Sequence, residues 1–305
     1  MAVVDSRNML SLCAKKKRFL RSLITKHELQ AAEDAIVAAA AECCPLVLGR
    51  RENYSARGNS RYGGVPDLPA SIPWPRSDNG YLTFLMQIDL GEVPSIAKNP
   101  LPKTGFLYFF IESDDCASDV RARVRFFRGR RSLLKKTVAP PAEELAHEYY
   151  RNLVPHKITI AAGVDIPTYG STLFDYVQQS AERNQQGDGG DRLLNLKDDA
   201  LGLRTNQRQA GQLLGCSSQA HGGMRENAHL TSIGKRDRIY DYTYRKRNQR
   251  ELRSGAEDWR FLWRIDSEFA VGVCIHDAGE FYILIRKPDL SKRDFSRIYV
   301  EIEGG

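Results

Sequence analysis

From Val120 to Phe126 the chain alternates strictly, placing Val120, Ala122, Val124 and Phe126 on one side of an extended strand and Arg121, Arg123 and Arg125 on the other. Arg297–Ile302 alternates in the same way, with Ile298, Val300 and Ile302 inward. Two nearly continuous apolar runs, Gly105–Ile111 and Gly279–Ile285, predict buried strands. Ahead of each stands the string Phe-Leu-x-x-Ile-Asp, at 84–89 and again at 261–266. The three elements recur in one order, offset by 177 residues at the first and 174 at the second. Ordered recurrence of this kind predicts an internal duplication in which each Phe-Leu-x-x-Ile-Asp marks the same strand end.

Helical spacing is clearest from Lys26 to Cys43, where Leu29, Ile36 and Val37 lie among strong helix formers and Pro45 forbids continuation. Pro140–Arg151 and Ser171–Asn184 also predict helices, with Gln185–Asp191 a loop between elements. Gly58–Pro75 carries Gly63-Gly64 and four prolines, which predicts a rigid irregular loop. The whole pattern predicts an α+β fold of mostly antiparallel sheets in two similar halves, about 46–135 and 205–305, joined by a helical and loop connector. A helical segment over 1–45 precedes this single domain of 46–305.

Composition adds limits. The 305 residues are 42% hydrophobic and 27% charged, enough apolar material for a sizeable core. A net charge of +7 favours anionic surfaces without specifying a partner. The six cysteines have no C-x-x-C pair, so they read as reduced thiols, with vicinal Cys43-Cys44 as packing residues. No signal-peptide pattern and no stretch of about 18 apolar residues is present, so the expectation is a cytoplasmic protein with no membrane partner.

Candidate chemistry is sparse. There is no G-x-S-x-G, no H-E-x-x-H and no P-loop. Cys216, His221 and His229, or His276 with Asp277, match no standard metal spacing, so no metal is expected. Arg61, Asp67 and Trp74 are the polar and aromatic handles of the Gly-Pro loop. Asp89 and Asp266 are equivalent strand-end carboxylates that either meet at a pseudo-axis for acid–base work or each cap a following turn; capping is the preferred reading. The arginines 121, 123 and 125 could track a nucleic-acid backbone, but a solvated strand face is preferred.

Several strings together resemble the YwqG-like family of bacterial domains of unknown function. They are SRYGGVPDLP…WP at 60–75, FLMQIDLGEVP at 84–94, LPKTGFLYFF at 101–110, GQLLG at 211–215, GAEDWRFLWRID at 255–266 and DAGEFYILIRKPDLSKRDFSR at 277–297. The resemblance implies an α+β fold with internal two-fold similarity, no established activity, an unknown cofactor, and a protein partner of the immunity-like kind found near toxin systems. The chain departs from the family pattern where Gly211 replaces a His before Gln-Leu-Leu-Gly, where Cys216-Ser217 replaces Tyr-Pro, and at Ile275-His276-Asp277. The expected reading is a non-enzymatic binding protein whose contact surface joins the 60–75 loop, Gln212 and the turn at His276 and Asp277; an enzyme with an unrecognised carboxylate site is the alternative.

Overall fold

The computed structural model describes residues 12–112, 120–147, 150–184, 187–216 and 223–304. Cys116, His221, Ser217, Ser113–Asp115 and Gln185–Gln186 lie outside the described residues.

Two helices, α1 (Ala14–Lys26) and α2 (Glu33–Ala39), lead into a long strand, β1 (Ala41–Arg51). Then come β2 (Arg61–Tyr62), β3 (Thr83–Asp89), β4 (Phe106–Ile111), β5 (Ala122–Phe127), β6 (His156–Ile160) and β7 (Gly163–Asp165). Helices α3 (Thr172–Arg183) and α4 (Gly189–Leu201) precede β8 (Gln209–Leu213). Helices α5 (Met224–Ser232), α6 (Tyr242–Arg247) and α7 (Gln249–Ala256) follow, then β9 (Trp259–Asp266), β10 (Glu280–Arg286), α8 (Lys287–Lys292) and β11 (Ile298–Glu303).

All these strands form one antiparallel sheet in the order β11-β10-β9-β8-β1-β6-β2-β3-β4-β5, with β7 pairing the start of β1. Its two ends meet where Val120 N–H donates to the Val300 carbonyl at 2.8 Å, so the sheet curls into a near-barrel. Inward side chains from both ends fill it: Phe109 packs on Trp263 and Phe281, each with ring centroids 6.0 Å apart.

The register repeats. In β3–β4 the partners are Phe84 with Phe110, then Met86 with Phe109, on to Asp89 with Phe106. In β9–β10 they are Phe261 with Leu284, then Trp263 with Ile283, on to Asp266 with Glu280. Each ladder skips one residue, Leu85 and Leu262, at the same place, a bulge that turns two consecutive residues inward. Between the two blocks, Val47 pairs with Thr159, flanked by Leu46 with Ile160 and Leu48 with Ile158. The strand order is symmetric about the β1–β6 pair, with β8 and β2 next on either side and a three-stranded meander beyond each.

The predicted Lys26–Cys43 helix is corrected. Helix stops at Ala39, and Cys43, Cys44 and Pro45 belong to β1, so residue 45 lies inside a central strand. Proline is tolerated there because β1 crosses the junction between β6 and β7, where the partner strand offers Ala161 N–H to the Pro45 carbonyl and no ladder donor is needed from residue 45. Cys44 joins the barrel core while Cys43 is buried near Gly163 and Gly215, and burial pushes both thiols up, Cys44 to about 12. Among the described residues of Pro140–Arg151 the helical structure is a short 3-10 turn at Ala142–Glu144, and the loop expected through Asp191 ends at Asp188, which caps α4 through Gly190 N–H and Asp191 N–H. Ser171 caps α3, as the prediction of a helix there requires. Helices α1 to α4 bury a second core against Val164 and Ile166.

Candidate functional site

The sequence candidates divide into three places. Arg61 and Asp67 form a fully buried ion pair: Arg61 also donates to the Val65 carbonyl at 2.8 Å and stacks on Tyr54, while Asp67 accepts from Gly58 N–H at 2.8 Å. Trp74 donates to the Leu82 carbonyl at 2.7 Å and packs edge-on to Phe110. These three hold the Gly-Pro loop and the two-stranded ladder Asp67–Pro69 with Leu134–Lys136 over the outer face of β3 and β4.

Asp89 and Asp266 occupy equivalent strand ends but are engaged separately. Asp89 accepts from Gly91 N–H at 2.8 Å and pairs with Arg131 at 2.5 Å. Asp266 takes a fork from Arg264, 2.6 and 2.9 Å. His276 and Asp277 sit on an exposed turn. The arginines 121 and 123 project from β5 toward solvent, with Arg121 paired to Glu112 at 3.0 Å. Among the described residues, no group of three or more His, Cys, Asp or Glu could hold a metal.

Gln212 leads to a concave site lined by charged residues. On the outer face of β9, β10 and β11, residues Asp266, Glu280 and Glu303 pair directly across three strands, a row of carboxylates that like-charge repulsion disfavours unless something compensates. Arg264 stands beside the row. Opposite it, β7 supplies Asp165 and α4 supplies Lys197, 3.5 Å apart, and the Pro167–Tyr169 segment forms the rim. The pocket has a volume of about 310 Å³.

Its floor is fixed by the GQLLG turn. Leu214 adopts φ 58° and Gly215 φ 105°; a Cβ at Gly215 would lie 2.5 Å from the Gln212 amide nitrogen and 2.7 Å from the Asp165 carboxylate. Gln212 is 1% exposed, and its Nε2 donates to Asp165 Oδ2 at 2.8 Å and to the Leu214 carbonyl at 2.9 Å. Two acceptors on this NH₂ fix the orientation of the amide and leave Gln212 Oε1 facing no hydrogen-bond donor among the described residues.

The electrostatics follow from burial. Glu280 is held up to about 7, first by desolvation and then by the negative Asp266 and Glu303, with Arg264 opposing. Burial works against the charge of Arg264, but Asp266 more than offsets it and keeps the guanidinium ionised. Cys216 lines the pocket, and burial beside Asp165 raises its thiol far from the nucleophilic range. Three lining carboxylates, Asp165, Glu280 and Glu303, therefore face two cations, of which Arg264 is forked by Asp266 at the end of the row and Lys197 is paired with Asp165.

Asp165, Lys197, Arg264, Glu280 and Glu303 were not singled out in the sequence. A comparison of the two copies could have found two of them: Glu280 stands where the first copy has Phe106, and Glu303 where it has Phe127. The family model described as Domain of unknown function (DUF1963) matches residues 60–303. No curated protein matches the chain.

Proposed function

The chain belongs to that family, and we propose that this member is a non-enzymatic binding protein whose outer-face pocket takes a basic side chain presented by a protein partner. The observation that carries the reading is Gln212 Oε1, a buried acceptor without a donor, at the floor of a pocket rowed with carboxylates. A buried unpaired acceptor costs about 1–3 kcal/mol, which a guanidinium or ammonium N–H recovers. Such a donor also relieves the repulsion along Asp266, Glu280 and Glu303. The volume suits one long polar side chain rather than a cofactor. We place this binding in the cytoplasm, where the thiols of Cys43, Cys44 and Cys216, none of them in a disulfide, stay reduced, and we attribute the repeated ladder register to an internal duplication.

Glu280 favours one second reading, general acid–base catalysis, because a carboxyl near 7 is poised for proton transfer. Against it, the thiol in the pocket is held neutral and Asp89, His276 and Asp277 stand elsewhere.

The test is calorimetric titration with acetyl-arginine amide and its uncharged counterpart, acetyl-citrulline amide, at pH 8. The arginine compound is expected to bind at least ten-fold more tightly, and Glu303→Gln to reduce that preference. Equal affinity for the two, or binding of neither, would overturn the assignment.

A further inference from the structure

A second recess, independent of the acidic pocket, lies at the open end of the first copy. It has a volume of about 200 Å³ and sits between the Gly-Pro loop at Gly64-Val65, Trp74, the start of β3 and the segment from Ala139 to Leu153. Trp74, Phe84, Leu145, Tyr150 and Leu153 give it apolar and aromatic walls, and the exposed Arg151 and Asn152 complete the lining. Trp74 and Tyr150 have their own polar groups satisfied, by the carbonyls of Leu82 and Cys274, so they present ring surface only.

Thr83 is the buried polar side chain of this lining. It is 5% exposed, and its hydroxyl is buried with no hydrogen-bond partner among the described residues. Neighbouring positions of β3 explain why: Thr83 pairs with Ile111 at the strand's first residue, where the facing side chains are apolar. A buried hydroxyl left without a partner at the wall of a recess is a cost that a ligand there would relieve.

We propose that this recess binds a single-ring aromatic compound carrying one hydroxyl, of the phenol class, with the ring against Tyr150 and Leu153 and the hydroxyl on Thr83. The size fits, since a cavity of roughly 150 Å³ admits benzene in an engineered protein. Aromatic walls give ring contacts, and Thr83 adds a directional bond that a plain hydrocarbon ring cannot use.

The experiment is fluorine NMR on the full chain with 4-fluorophenol and fluorobenzene. Both are expected to bind saturably, 4-fluorophenol about five-fold more tightly, the difference set by one hydrogen bond. Thr83→Val removes that preference while leaving fluorobenzene unchanged. Ala142→Trp, on the exposed rim, fills the recess and abolishes both without lowering the melting temperature. Absence of saturable binding to the wild type, a preference that survives Thr83→Val, or binding that survives Ala142→Trp would each overturn the proposal. An effect confined to Glu303→Gln would instead assign the probe to the acidic pocket.

Discussion

The outer faces of the β3–β5 and β9–β11 meanders share a backbone register and differ in what they carry. In the first, Phe84, Phe106, Tyr108 and Phe110 are buried under Leu68 and Leu134, and Phe106 stacks on Phe127. In the second, the equivalents of Phe106 and Phe127 are Glu280 and Glu303, and the upper half is covered by α5 through Met224 and Ala228. Tyrosine is kept at the central position of both, Tyr108 and Tyr282, while Gln87 is exchanged for Arg264 and Arg61 for Gln212. One face is thus sealed by side chains and a loop, and the other is left open and polar. The same ladder register therefore carries a covered apolar face in one meander and a carboxylate-lined recess in the other.

The sharpest way to break this comparison is at the sealed face. Asp67→Ala leaves Arg61 buried without its partner and is expected to cost about 3–5 kcal/mol in urea denaturation. Phe110→Ala, which removes contacts with Trp74 and Phe84, is expected to cost about 3–4 kcal/mol by the same measurement.

At the open face the expected sign reverses. Glu280 titrates higher in the folded protein than unfolded, so its contribution is present below about pH 4.5 and is lost as pH rises through about 7. Glu280→Gln should therefore leave stability unchanged near pH 4 and raise it by about 2–3 kcal/mol at pH 8; a flat difference across that range would refute the buried-carboxylate account. Smallest of all, Arg121→Ala on the solvent side of β5 removes an exposed pair and should change stability by under about 1 kcal/mol, with no effect on arginine-amide binding.

Much of the scaffold was legible because strand periodicity is local. The inward set Val120, Ala122 and Val124, the matching set Val300 and Ile302, and the 177- and 174-residue offsets all reappear in the ladders. The N-terminal helix was read too far because an alanine-rich stretch running into a proline looks like a helix stop; only the sheet's junction between β6 and β7 makes Pro45 acceptable in a strand. Gln212 was picked from the sequence, but its companions Asp165 and Lys197 come from segments 47 and 15 residues away that carry no motif. Their convergence is a product of tertiary packing. The aromatic-to-acid exchange between the copies was visible at Glu280 and Glu303, and would have marked the open face in advance.

The seam between β5 and β11 sets a timetable for synthesis. Val120 leaves the ribosome 180 residues before the Val300 carbonyl that receives its N–H. At ordinary elongation rates the first meander waits roughly 10–40 s with an unpaired edge. An exposed strand edge of that duration is a template for other chains, and the arginines 121, 123 and 125 sit along it. The charges that look idle in the finished barrel guard the nascent chain before it closes.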